Sequence, residues 1–398
     1  VIHNPIKIVE ERENKACFAG SYYRHHEDRS VDMDRVLDKA AEYGLEIFDR
    51  NYEKTKKGLM PNHRFPERFE PYIKGSLKYY EIDKAYKGYK VMINVNTVKY
   101  SPTMFSRRVF EGLACGTPVV STYAQGIEEI FGDLVYISEN EADIENAFRL
   151  LLRDEQAYRQ KALLGIREVL SKHTYAHRLS DIVQKVGLQF KKAMPKVTVL
   201  AFAHSKEEFM HALEAFNNQA YENKELYVLI DKFEGYLDLF SQYNHASIKT
   251  FIRSYMHNYQ NILEWIPTPY VAYFANHDYY GKYYLTDLML STTFTNSDFI
   301  GKYTYMAMQS GELTEIQAGA EYEFVASMAA NRTVAKTDVF SKEPLAELLT
   351  SLEQGMDFSH YFKYGKTMYS SDKYNYISGA YHKAGRAQLE AMKDQIEI

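Results

Sequence analysis

A chain of 398 residues with 45% hydrophobic and 25% charged side chains is long enough for two or three domains with sizeable cores. Its net charge of −5 supplies no basic field for nucleic acid, and no apolar run approaches the roughly 20 residues that cross a bilayer. Two cysteines, Cys17 and Cys115, lie in apolar runs and predict reduced, buried thiols in a cytoplasmic protein without a signal peptide. Peripheral membrane association and oligomeric state stay open. Tyrosine is abundant, 35 against one tryptophan, and most of these rings are expected to fill half-buried positions.

The first half alternates strand-like and helix-like segments. Strands are predicted at Ala16–Ala19, Leu45–Phe48, Val91–Val95, Pro118–Ser121 and Leu134–Ile137. Helices are predicted at Asp32–Tyr43, Thr103–Cys115, Glu141–Leu152, Glu155–Leu170 and His177–Phe190. Lys54–Tyr80 reads as irregular. Repeated βα units of this kind imply an α/β domain with a parallel sheet. Lys191-Lys192-Ala193-Met194-Pro195 then reads as a linker, and a fresh βαβ pattern starts with Val197–Ala203. Two domains are therefore expected, 1–193 and 194–398.

The most informative stretch is Tyr100 to Ser121. Ser101 and Pro102 suit the N-cap and first position of a helix that follows a strand, the place where α/β sheets bind phosphates. Arg107 and Arg108 offer permanently charged forks to phosphate oxygens, and Glu111 lies one turn on, where it can accept from ribose hydroxyls. A plain amphipathic helix with a solvated arginine pair has the same spacing. In the second half, Asp231 ends a buried strand, as a ligand-facing acid or as a loop cap. Asn276-His277-Asp278 follows another strand, as cation donors or as a surface turn.

Phe105-Ser-Arg-Arg-Val-Phe-Glu-Gly-Leu-Ala-Cys-Gly-Thr-Pro-Val-Val-Ser121, with Gly126–Gly132, Phe18-Ala-Gly-Ser21, Asn94-Val-Asn96 and His173–Arg178, resembles the donor half of GT-B glycosyltransferases of the CgeB spore-maturation type. The resemblance covers about 15–190 and implies a nucleotide-sugar site with Ser106, Arg107, Arg108 and Glu111 as donor-binding residues. Glu111 matches the second acid of the family's glutamate pair; Thr103 stands near the first. One such half lacks the acceptor half of a GT-B enzyme, which is absent or precedes Val1.

Residues 197 to 378 resemble family 2, GT-A glycosyltransferases. The resemblance implies Asp231 as the nucleoside-binding acid. It also implies a Mn²⁺ or Mg²⁺ site at His277 and Asp278, although Ala275 and His277 stand where the family has its two aspartates. Gly355-Met-Asp-Phe358 supplies Asp357 as catalytic base, and Ser370–Tyr376 matches a terminal motif that orders a loop over the site. The expected architecture is thus two Rossmann-like α/β domains, a GT-B C-terminal-type half and a GT-A-like domain. The expected activity is inverting transfer from a nucleotide-diphosphate sugar to a hydroxyl acceptor in surface or spore glycan synthesis. A catalytically degenerate sugar-nucleotide-binding or scaffold protein is the alternative.

Overall fold

The computed structural model describes residues 2–188, 193–383 and 386–398. The chain divides into two compact units, Val1–Leu179 and Ser180–Ile398. The division falls within the helix Tyr175–Lys185. Phe190, Lys191 and Lys192 of the expected helix end and linker lie outside the described residues.

The first unit holds strands β1 (Glu13–Gly20), β2 (Leu45–Asp49), β3 (Ile73–Gly75), β4 (Tyr89–Asn94), β5 (Val119–Ser121) and β6 (Tyr136–Ile137). They form one sheet in the order β3-β2-β1-β4-β5-β6, every neighbour pair parallel. Helices cover both faces, so the central strands are apolar runs without alternation: Ala16 to Ala19 in β1 and Val91 to Ile93 in β4 are all buried. Cys17 and Cys115 are free and buried, and burial pushes both thiols up, Cys115 to about 12. Gly112 sits where a Cβ would lie 2.3 Å from the Met92 Cε, which lets its helix lie close against β4. The strand order reverses between β1 and β4. In open parallel sheets a ligand crevice forms at the carboxyl side of that point.

Two expectations fail here for local reasons. The helix predicted over 103–115 is Arg108–Ala114. The Ser101 hydroxyl accepts from the N–H groups of Thr103 and Met104, as a cap would, but its carbonyl accepts from the Gly126 N–H. Pro102 O lies 2.5 Å from where a Gly126 Cβ would stand. The segment is thus fastened to the start of the helix Gln125–Phe131 instead of coiling onward. The stretch read as irregular contains β3 and short helical turns.

The second unit holds β7 (Val197–Ala203), β8 (Lys224–Ile230), β9 (Ile248–Ile252), β10 (Tyr270–Tyr273), β11 (Tyr279–Tyr280), β12 (Phe299–Gly301), β13 (Tyr305–Gln309), β14 (Glu312–Ile316), β15 (Glu323–Val325), β16 (Thr333–Lys336), β17 (Met368–Ser370) and β18 (Tyr376–Ser378). An eight-stranded sheet runs β15-β17-β12-β16-β10-β7-β8-β9, and a four-stranded one runs β11-β18-β13-β14. The β10-β7-β8-β9 part is parallel. β16 is antiparallel to both β10 and β12, so this sheet is mixed and departs from a plain parallel Rossmann layout. No crossover helix lies between β12 and β16; the chain makes the β13–β14 hairpin and returns at the edge it left, which forces β16 to run backward. Trp265, the single tryptophan, is buried in the core of this unit with Tyr227, Tyr273 and Phe299.

Candidate functional site

In the first unit the carboxyl edge is lined by buried polar residues: Ser21 after β1, Asp49 at the end of β2, Asn94 and Asn96 at β4, and Ser121 and Thr122 at β5. The Asn94 amide donates to Asn96 Oδ1 and Ser121 Oγ, both at 3.0 Å, and the Asn96 amide donates to Ser121 Oγ at 3.1 Å and Thr122 O at 2.9 Å. Asn94 Oδ1 has no hydrogen-bond partner among the described residues. Burial raises the pKa of Asp49, which accepts from the Asn51 N–H at 2.9 Å.

The four expected donor-binding residues do not act as one group. Arg107 is exposed and pairs with Glu111 at 3.0 Å. Glu111 also accepts from the Tyr86 hydroxyl at 2.7 Å, which turns it toward the helix Asp83–Lys87. Ser106 Oγ accepts from the Arg108 N–H at 3.3 Å, so it serves the helix start. Arg108 points elsewhere: its guanidinium donates to Ala19 O at the end of β1. A second guanidinium, Arg29, donates to Ser21 O at 3.2 Å. Arg29 was missed because an arginine in the first turn of a helix reads as a solvated charge; here it is buried, over the ring of Tyr23 at 4.5 Å.

In the second unit the ends of the parallel strands carry a charged network. His204 follows β7, Asp231 follows β8 and Arg253 follows β9. His204 Nδ1 lies 2.6 Å from Asp231 Oδ2, and its Nε2 lies 2.8 Å from Glu353 Oε1. Arg253 donates to Glu353 Oε1 at 3.0 Å and to Oε2, and stands 4.0 Å from Asp231. Asp231 therefore follows β8 at the carboxyl edge, already engaged by His204 and Arg253. His204, Arg253 and Glu353 escaped notice; the signal for His204 is that it directly ends the apolar run Val197–Ala203.

Asp278 is fully buried, and both its oxygens are engaged. Oδ2 accepts from the Asn331 amide at 2.6 Å and the Tyr376 hydroxyl at 2.7 Å, and Oδ1 accepts from the Gly379 N–H at 2.8 Å. His277 is partly exposed, with Nε2 3.5 Å from Asp278 Oδ1. Among the described residues no group of three or more His, Cys, Asp or Glu side chains is placed to hold a metal ion. Asp357 is exposed, and its Oδ1 accepts from the Ser359 N–H at 2.7 Å, just ahead of the short helix Ser359–Lys363. Its backbone bridges Ala329, two residues before the Asn331 that holds Asp278. Asp231 follows β8 and Asp278 follows β10, both on the carboxyl side of the parallel strands, while Asp357 lies in the loop between the helices Leu345–Glu353 and Ser359–Lys363.

Burial opposes the charge on His204, but the hydrogen bond to Asp231 and the carboxylates of Glu208, Glu353 and Asp231 outweigh it, and its pKa is raised. A pKa raised by folding stabilises fully below the unfolded value, about 6.5. That contribution is lost as pH climbs through the folded value. Stability of the second unit should therefore fall from pH 6.5 upward by about 1 kcal/mol or less, since the imidazole is partly exposed. Urea midpoints read by Trp265 fluorescence measure this. His204→Gln should flatten the slope; an unchanged slope would remove His204 as its cause.

With the geometry in place, comparison with known proteins adds one family. Residues 35–184 match the family model described as glycosyl transferase-like. The first unit, which holds most of that match, thus carries a glycosyltransferase-like domain. No curated protein matches the chain. Among solved structures, TarM is similar at 14% identity over 46% of this chain and 37% of its own, with a TM-score of 0.33. S. aureus TarS is similar at 16% identity over 46% and 60%, TM-score 0.32. The C-terminal domain of the group 1 glycosyl transferase LpcC from Francisella tularensis is similar at 16% over 43% and 97%, TM-score 0.29. The chain spans less than two thirds of the TarM and TarS chains it matches. No described helix is long and apolar enough to cross a membrane.

Proposed function

We propose that this protein is a glycosyltransferase that takes its sugar from a nucleoside-diphosphate donor bound at the carboxyl edge of the first unit. The observation that carries the reading is the coincidence of the family match over 35–184 with a parallel sheet whose strand order reverses at β1 and β4. The polar side chains gathered there suit a ligand with many hydroxyls: Asn94 Oδ1 is an unused acceptor, and Ser21 and Asn96 flank it in the strand ends. The first unit then acts as a GT-B donor half of the CgeB type, and the acceptor is a hydroxyl of a surface or spore glycan.

The second unit is read as GT-A-like, supported by its parallel β9-β8-β7-β10 half with an acid after β8. In that unit Asp357 is the group suited to take a proton from an acceptor hydroxyl, because it is exposed and among the described residues one of its oxygens is engaged. Attack by that hydroxyl on a donor held within this same unit, at the edge that Asp231 marks, would invert the anomeric centre. Mn²⁺ or Mg²⁺ does not fit the residues expected to hold it, since Asp278 is fully buried with three donors already on its oxygens and among the described residues no group of three His, Cys, Asp or Glu side chains is placed around it, so the proposed transfer is written without a metal.

A second reading is favoured by the same network: Asp231 and Asp278 are both spoken for within the protein, as in a unit that has given up donor chemistry and serves as a scaffold. Release of nucleotide from a panel of UDP-, GDP-, CDP- and dTDP-sugars separates the two. Turnover lost by about 100-fold or more in Asp357→Asn supports the transferase with that base. Turnover that Asp357→Asn leaves intact moves the base elsewhere, and a folded wild type with no turnover or binding supports the scaffold.

A further inference from the structure

The amino end of β16 places at the carboxyl edge of the second unit a cation that no described acid holds. β16 runs antiparallel to β10, with Tyr270 opposite Lys336 and Ala272 opposite Val334. Its first residue, Thr333, therefore lies beside the carboxyl end of β10, the strand that Asp278 follows, and Arg332 comes just before it. The backbone of Arg332 is fixed on both sides. Its N–H donates to Ala329 O at 3.3 Å, and its carbonyl accepts from the Lys302 N–H at 3.0 Å. The residue before it, Asn331, is the one whose amide holds Asp278.

The Arg332 side chain is half-buried, and its guanidinium lies over the Tyr305 ring at 4.1 Å. Its Nε is buried and has no hydrogen-bond partner among the described residues. Other cations of the unit have an acid: Arg253 has Glu353, Lys302 has Asp372 and Lys373 has Glu315. Among the described residues no carboxylate pairs with Arg332. Asp278 comes nearest to doing so. Burial pushes the Tyr284 and Tyr376 hydroxyls up, the Asp278 charge adds to that push and the Arg332 charge opposes it, so both charges reach the same rings. The Asp278 oxygens, however, are taken by Asn331, Tyr376 and Gly379. A guanidinium that loses water at one nitrogen and gains no acid is stabilised by an anion that arrives from solution.

We propose that Arg332, backed by Tyr305, is a recognition site for an oxyanion carried by the acceptor, a phosphate or a carboxylate. Its place in the sheet argues for the acceptor. β8, which Asp231 follows, is three strand spacings from β16, roughly 14 Å. Asp357, the proposed base, instead has its backbone bridged to Ala329, three residues before Arg332. A hydroxyl presented to Asp357 therefore has its near substituents on the Arg332 side. A planar fork of donors suits the two oxygens of either anion, and the ring beneath keeps the fork in one plane. The ligand class is a polyol phosphate or a uronic acid, with a hydroxyl beside the charged group. The proposal rests on the reading of the second unit as a transferase with Asp357 as its base.

Saturation-transfer NMR titrations of the full chain with glycerol phosphate, glucuronate, glycerol and glucose test it. At least one of the two anions should bind, and its neutral counterpart should bind far less. Arg332→Gln should weaken that anion about tenfold or more, while Lys336→Gln, which removes a cation from the other end of β16, stays within about twofold. Arg332→Lys keeps the charge without the fork and guards against a variant that fails to fold; it should fall between wild type and Arg332→Gln. Binding of one anion alone keeps the site and names its ligand. Binding of neither, or binding that Arg332→Gln leaves intact, overturns the site. Displacement of the anion by UDP overturns its assignment to the acceptor. Arg332-dependent binding in a chain that turns over no nucleotide sugar keeps the site and overturns the transferase reading. Turnover lost in Asp357→Asn but no better with glycerol phosphate or glucuronate than with glycerol or glucose keeps that reading and overturns the role of Arg332.

Discussion

Asp278→Ala is expected to destabilise the second unit by roughly 3–5 kcal/mol and to leave divalent-cation binding unchanged. Three donors converge on this carboxylate: the Asn331 amide, the Tyr376 hydroxyl and the Gly379 N–H. Alanine strands all three in a site that water does not reach, since Asp278 is 0% exposed. Asp278→Asn is expected to cost less than half as much. Its oxygen can keep the Gly379 N–H, and its amide can face Tyr376 and Asn331, whose hydroxyl and amide can turn to accept. Trp265 is the single tryptophan and is buried in this unit, so its fluorescence reports unfolding of the unit alone. The alanine variant should lower the urea midpoint by about 1–2 M. A metal ligand would behave oppositely: cation binding lost with stability kept. That pattern would return Asp278 to the role its sequence context suggests.

The contrast shows what was legible in the chain and what was not. The apolar runs of β1, β4, β7 and β8 announce buried strands, because helices on both faces require them. The loop after β4 was misread because Ser101-Pro102 is a strong local start signal, and what overrides it is the remote Gly126. An acid after a strand and before a run of tyrosines looks the same whether it binds a cation or staples the interior. The partners that decide it lie 53, 98 and 101 residues away. Arg107 and Arg108 are adjacent in sequence, yet one pairs with Glu111 and the other reaches Ala19, since neighbours on a helix diverge. Arg29 and His204 gained meaning only once the strand order showed which ends meet. The small sheet was invisible, because strands such as Tyr279–Tyr280 are too short to show a period.

Lys302→Met is expected to cost the same unit roughly 3–5 kcal/mol, the cost of leaving one member of a buried ion pair alone. Lys302 and Asp372 are 0% and 1% exposed and extend the paired ends of β12 and β17, where Gly301 stands beside Ser370. The ammonium donates to Asp372 Oδ1 at 2.9 Å and to its carbonyl at 3.1 Å. Methionine fills the stem of the lysine but leaves Asp372 with the Tyr374 N–H and the Ser371 hydroxyl as donors and no cation. Adding Asp372→Asn removes the bare charge while still accepting from Tyr374, so the double variant should recover at least half of the loss, read again by Trp265 in urea. A single-variant loss below about 1 kcal/mol would mean the pair is better solvated than its burial implies. The consequence reaches the carboxyl edge. The segment 372–376 is held at one end by Lys302 and at the other by Asp278 through Tyr376, so each anchor limits what the other can lose. Lys302→Met combined with Asp278→Ala should therefore cost less than the sum of the two, because once either anchor is gone the segment has already moved from the other.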